Sequence, residues 1–229
     1  LISKNKCISV TWWTSNFQHH SKDFVNQNTR SYSEYIKNIK SIYLDSSGYK
    51  NNISLKRIID HKSIANDFKK RSVLEPKPDL IICSWPTIEL AYEAYRYAKK
   101  NNIIFVIDIR DMWPDVIYDA LNNSLYAKFV INTFLKYDQK LIECFSNSNL
   151  LISVSESIQE WAIKKSNRSY QKDNLVSRLS CLDLSKINYN VDKIASFWNN
   201  LNVKSDLEIT RIIFVGTLLK QQLFIDFIR

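Results

Sequence analysis

Residues 103–119 read Ile-Ile-Phe-Val-Ile-Asp-Ile-Arg-Asp-Met-Trp-Pro-Asp-Val-Ile-Tyr-Asp, an apolar, β-branched run that breaks at once into charge, Trp and Pro. A run without polar alternation predicts a buried strand over Ile103–Ile109, of the kind found in parallel sheets. Arg110, Asp111 and Asp115, gathered around the Trp113-Pro114 step, then fall at the carboxyl end of that strand, where open α/β sheets hold their ligands.

The rest of the chain repeats the pattern, with short apolar runs alternating with segments of helical period. Strands are expected over Cys7–Trp13, Ser41–Leu44, Asp79–Ser84 and Asn149–Val154. Helices are expected over Ser54–Arg71, Thr87–Asn101, Ser124–Phe145 and Ser155–Lys165, the first stopped by Glu75-Pro76-Lys77-Pro78. The fold class that follows is α/β: a Rossmann-like parallel sheet with helices on both faces. Asn199–Glu208 reads as a polar linker, and Arg211–Gly216 as the opening strand of a further βα unit.

Composition narrows the chemistry. The 229 residues contain two glycines, Gly48 and Gly216, so neither a Rossmann nor a Walker glycine fingerprint can be formed from them. Cys7, Cys83, Cys144 and Cys181 lie far apart with no metal-ligand spacing, which suits reduced, inert thiols and no bound metal. No apolar run approaches the roughly 18 residues that span a bilayer. The net charge of +9 is regional: residues 1–75 hold 13 Lys/Arg against 6 Asp/Glu, interleaved with aromatics. Such a surface suits an anionic membrane or a phosphate-rich acceptor, or is simply a solvated basic face. No nucleic-acid motif accompanies it.

Three loops follow predicted strands: 14–20 with Phe17, His19 and His20; 84–87 with Ser84, Trp85 and Thr87; and 110–115 with Arg110, Asp111 and Trp113. On parallel strands they share one sheet edge and form a cleft wall of polar groups and aromatic rings, a mixture suited to a sugar. Bland alternatives stay open at this point. Arg110 and Asp111 read equally as a structural ion pair, His19 and His20 as surface histidines, and Ser153, Ser155 and Ser157 as helix caps. No Ser-His-Asp order or carboxylate pair marks a hydrolase.

The stretches Val10–Phe17 with His19, His20 and Lys22, Asn52–Arg57, Pro78–Pro86, Asp108–Asp115, Leu151–Glu156 and Phe214–Leu218 resemble, in order, the bacterial family-4 glycosyltransferases. The nearest group is the fucosaminyltransferase-like branch of surface-polysaccharide (O-antigen, capsule, lipopolysaccharide) synthesis. The resemblance implies a GT-B architecture and metal-independent, retaining transfer from a nucleotide sugar to a glycan or lipid-linked acceptor. It further implies location in the cytoplasm or peripherally on the inner face of the plasma membrane. Arg110 and Asp111 match the catalytic step, Arg110 meeting donor phosphate or sugar hydroxyls and Asp111 orienting the loop. His19, His20, Lys22, Ser84, Trp85, Thr87, Trp113 and Asp115 would line the substrate side, and Gly216 and Thr217 the nucleotide side.

Set against that family, residues 1–205 correspond to the amino-terminal, acceptor-side domain without its first strand and loop. Residues 206–229 correspond to a linker and the first strand of a donor-binding domain. The expectation is therefore a chain cut at both ends and inactive alone. Two further readings remain: a non-catalytic acceptor- or membrane-surface-binding domain, and a nucleotide-sugar epimerase.

Overall fold

The computed structural model describes residues 8–26, 31–36, 39–52, 54–168, 174–178, 190–201 and 203. The chain divides into two compact units, Leu1–Leu179 and Ser180–Arg229. In the second, helix α7 (Val191–Asn200) is capped by Asn190, whose side chain accepts from the Lys193 N–H. The expected strand Arg211–Gly216, and with it Gly216 and Thr217, lies outside the described residues.

The first unit opens with β1 (Val10–Ser15), the two-residue strands β2 (Phe17–Gln18) and β3 (Asp23–Phe24), β4 (Tyr32–Ile36) and β5 (Ile39–Leu44). β5 lies between β1, which it pairs in parallel, and β4, which it pairs antiparallel. The β4–β5 hairpin has no counterpart in the sequence reading, because β4, Tyr-Ser-Glu-Tyr-Ile, is mostly exposed and leaves no buried apolar stripe. The first strand runs over Val10–Ser15 instead of stopping at Trp13, since its pairing with β5 continues to Ser15↔Leu44.

After helix α1 (Leu55–Arg71) comes a second sheet, β6 (Leu80–Trp85), β7 (Ile104–Ile109), β8 (Leu150–Ser153) and β9 (Leu175–Val176), parallel throughout and in sequential order. Three of its strands, β6, β7 and β8, answer to the runs Asp79–Ser84, Ile103–Ile109 and Asn149–Val154 expected in a parallel sheet. Between them run α2 (Ile88–Asn101), α3 (Asp115–Ala120), α4 (Leu125–Phe134), α5 (Tyr137–Asn147) and α6 (Glu156–Ser166). The pleat turns Cys83, Trp85, Phe105, Ile107, Ile109 and Leu151 toward one face. There they share a core with Ile64 and Phe68 of α1, Ala91 and Ala94 of α2, Leu141 and Phe145 of α5, and Ala162 of α6. The opposite face is covered more thinly, with Leu80, Ile82 and Ile104 exposed.

One expected helix is two. Ser124–Phe145 breaks at Leu135–Lys136, where Lys136 takes a left-handed backbone with φ 53° and precedes α5. No Gly or Pro marks the break. Its cause is tertiary: the turn lets Tyr137 enter the core, while Asp138 accepts from Tyr118 and Asn132. The cap at Ser155 is present, its hydroxyl accepting from the Ile158 N–H.

Candidate functional site

The carboxyl ends of β1 and β5 and the first turns of α1 converge on a cation-rich cluster resting on aromatic rings. The short β2–β3 hairpin carries His19 and Lys22, the latter at φ 58°. The loop after β5 carries Tyr49 and Asn52. Gly48 shapes it: its φ is +70°, and an added Cβ would approach the Phe24 ring to 3.0 Å. Its N–H donates to Asp60 on α1 at 2.9 Å, and Ser46 hydrogen-bonds the same carboxylate, so a buried acid fixes the loop that presents Tyr49.

Lys22 Nζ lies 4.5 Å and the Arg57 guanidinium carbon 5.5 Å from the centre of the Tyr49 ring. Arg57 also lies 4.4 Å from the centre of the Trp113 ring. Both cations share one residue, Lys22 donating to Asn52 Oδ1 at 2.7 Å and Arg57 Nη1 to the Asn52 carbonyl at 2.8 Å. The electrostatics follow from this crowding. Burial and the Arg57 charge push Lys22 below the usual lysine range. His19 Nδ1 meets the Tyr49 hydroxyl at 2.6 Å, and its pKa falls below the ordinary 6.5 through burial, then through Lys22, Arg57, His20 and His61.

Beneath Arg57 sits a buried polar chain. Arg57 Nε donates to His61 Nε2 at 3.4 Å, and His61 Nδ1 faces Glu89 Oε2 at 3.7 Å. Neither Glu89 oxygen has a partner within ordinary hydrogen-bond distance among the described residues. Burial works against its charge, but the longer contacts from His61 and Tyr137, with Lys140 beyond, outweigh it and hold the pKa below the usual range. Glu89 faces His61, and His61 helps hold Arg57 over Trp113.

The residues expected from sequence divide into two groups. His19, Lys22 and Trp113 join this cluster, with His20 edge-on to His19 at 5.5 Å between ring centres. Trp113 is only 9% exposed and lies beneath Arg57, so it is a shelf for the guanidinium and not an open stacking surface. Trp85 is fully buried, and its Nε1–H donates to the Trp113 carbonyl at 2.9 Å, tying the loop to the core. Arg110 pairs with Asp108 at 2.6 Å, not with Asp111, because the strand leaves the Asp108 carboxylate beside it; Arg110 remains half exposed. Asp111 Oδ1 accepts from the Met112 N–H and shapes the loop.

Ser84 is exposed and in register with Asp108, and Thr87 is the α2 N-cap residue without a side-chain capping bond. Asp115 is drawn elsewhere, accepting from Trp161 Nε1 at 2.9 Å and Lys165 Nζ at 2.8 Å, which anchors α3 to α6. Sequence reasoning missed Tyr49, Arg57, His61 and Glu89 as site residues. Arg57 and His61 are spaced i, i+4 on the predicted helix 54–71, the one signal that could have paired them. Among the described residues no group of three or more His, Cys, Asp or Glu could hold a metal ion.

No protein-family model matches the chain, and no curated protein does. Among solved structures, a sucrose-phosphate synthase from Thermosynechococcus elongatus is similar to it at 12% sequence identity and a TM-score of 0.43, over 84% of this chain and 83% of that one.

Proposed function

We propose that the chain is the acceptor side of a GT-B glycosyltransferase of the family-4 type, acting in surface-polysaccharide synthesis. The observation that supports this reading best is the Lys22–Tyr49–Arg57–Trp113 array at the carboxyl ends of parallel strands. Two cations stacked on aromatic rings, sharing Asn52 and repelling one another, are stabilised by an oxyanion between them, and guanidinium and ammonium donors bind phosphate and sugar hydroxyls well. His19, held neutral near pH 7, adds a ring nitrogen able to serve a hydroxyl. In this scheme Arg110, half exposed, meets donor phosphate or sugar oxygens, and Asp111 holds its loop in shape. Fixed cations facing a departing diphosphate lower the barrier without reorganisation.

Saturation-transfer NMR of the full chain with glucose, N-acetylglucosamine and their 1-phosphates tests the reading. The 1-phosphates are expected to take up saturation, and Arg57→Ala to weaken them by on the order of 10-fold, the worth of one charge-assisted hydrogen bond. No saturation of any saccharide would overturn it.

A further inference from the structure

The amino edge of the second sheet carries a cavity of its own, about 330 Å³ in volume, where α2 and α5 end and β7 begins. α2 stops because Asn102 takes a left-handed backbone at φ 52°, its N–H turned back to the Ala98 and Lys99 carbonyls, a conformation Asn tolerates better than most residues. α5 stops at Asn147. Asn149 then closes the edge: the Phe105 N–H donates to Asn149 Oδ1 at 2.8 Å, and the Asn149 N–H to the Phe105 carbonyl at 2.8 Å. Three carboxamides, Asn102, Asn147 and Asn149, therefore surround an opening floored by Ala98, Ile103 and Phe105.

The hydrogen bonds already made fix what each polar group has left. Asn149 Oδ1 is taken, which leaves its Nδ2 as a donor. Asn147 Nδ2 donates to the Glu143 carbonyl at 2.8 Å, which leaves its Oδ1 as an acceptor. Tyr95 is 4% exposed, and its hydroxyl makes no hydrogen bond among the described residues yet is not sealed from solvent. A buried tyrosine ordinarily finds a partner for its hydroxyl, and here the group is left over at the cavity its ring lines.

We infer that this cavity binds a neutral sugar unit of a glycan, as a site separate from the cation cluster at the carboxyl ends of the strands. Charge and shape select the ligand. Of the described residues that line the cavity only Lys99 is charged; it lies 5.6 Å from the centre of the Tyr95 ring, and the carbonyl ends of α2 and α5 set partial negative charge against it. An anion gains little there. A flat aromatic ligand finds no open ring to stack on, since Tyr95 and Phe105 are buried with their centres 6.0 Å apart. Fixed donors and acceptors over an apolar floor match a pyranose, whose hydroxyls each give and take a hydrogen bond and whose C–H face is apolar. β7 is six residues long, so the cavity lies about 20 Å from the carboxyl edge. The inference goes beyond the transferase reading and stands even if the Arg57 cluster binds nothing.

Titration of the isotope-labelled full chain with maltose and with N,N′-diacetylchitobiose, followed through the side-chain amide NMR signals of Asn147 and Asn149, tests it, with adenosine as the aromatic control. At least one disaccharide is expected to shift both signals saturably. Tyr95→Phe and Asn147→Ala, read at Asn149, should each weaken it by on the order of 10-fold. Thermal unfolding should stay unchanged, because the Tyr95 hydroxyl has no partner to lose and Asn147 is exposed. The same titration of Arg57→Ala should give the wild-type curve, and loss of the shifts there would place the sugar in the cation cluster instead. Shifts caused by adenosine and by neither disaccharide would make the ligand a nucleoside and overturn the saccharide. No shift with either disaccharide, or shifts indifferent to both cavity variants, would overturn the inference outright.

Discussion

The guanidinium of Arg57 lies 4.4 Å from the centre of the Trp113 ring and donates to His61 at 3.4 Å, so a helix side chain and a strand-end loop are locked together through one planar cation. Lysine cannot reproduce a planar group that both stacks and donates sideways. Arg57→Lys is therefore expected to weaken sugar-phosphate binding by about 10-fold despite keeping the charge, roughly 1.4 kcal/mol. Titration calorimetry with N-acetylglucosamine 1-phosphate checks this, and an unchanged affinity would mean that charge alone matters.

Glu89 supports the same cation from below, and Glu89→Gln removes the charge facing His61 while keeping the shape. Saturation-transfer NMR should report sugar-phosphate binding weakened in the same direction as in Arg57→Lys. Loss of stability with undiminished binding would reduce Glu89 to a core residue.

His19 gives the fold a defined response to acid. Its folded pKa lies below 6.5, so between that value and 6.5 the unfolded chain binds a proton that the folded chain refuses. Stability is thus expected to fall as pH drops below 6.5. Urea unfolding of the protein and of His19→Asn at pH 7.5 and 5.5 isolates the effect. The difference between the two proteins should narrow in acid, and a constant difference would contradict the electrostatic account of the cluster.

Two substitutions separate support from recognition. Gly48→Ala forces a side chain into a left-handed turn against Phe24 and Phe17, and should cost about 1–3 kcal/mol. Asp115→Ala strips the partners of Trp161 and Lys165 and should cost about 1–2 kcal/mol with sugar binding intact. Thermal unfolding and titration calorimetry on both variants check this; loss of binding in Asp115→Ala without loss of stability would restore that residue to the site.

The β6–β7–β8 order was legible because buried parallel strands write themselves as unbroken apolar runs, and 103–109 is the clearest. The helix break at Lys136 was not, since Tyr137 reaches the core only through contacts remote in sequence. Within the site, His19 could be read as a polar residue after a strand, whereas Lys22 entered only through the resemblance to the family-4 glycosyltransferases. Glu89 could not be, because a carboxylate in the first turn of an amphipathic helix usually serves the helix dipole. Trp113 misled in the opposite direction: an aromatic beside charge suggests a sugar platform, and only the fold shows Arg57 occupying its face.

The chain contains six tryptophans, and their indole N–H signals, assigned by Trp→Phe substitution, locate a ligand directly. On adding N-acetylglucosamine 1-phosphate, the Trp113 signal should shift as Arg57 adjusts above it, with the His19 ring signals following, while Trp161, tied to Asp115, stays in place. Shifts confined to Trp161 or Trp198, or no shift at saturating sugar phosphate, would contradict an acceptor site where the carboxyl ends of β1 and β5 meet the loop after β7.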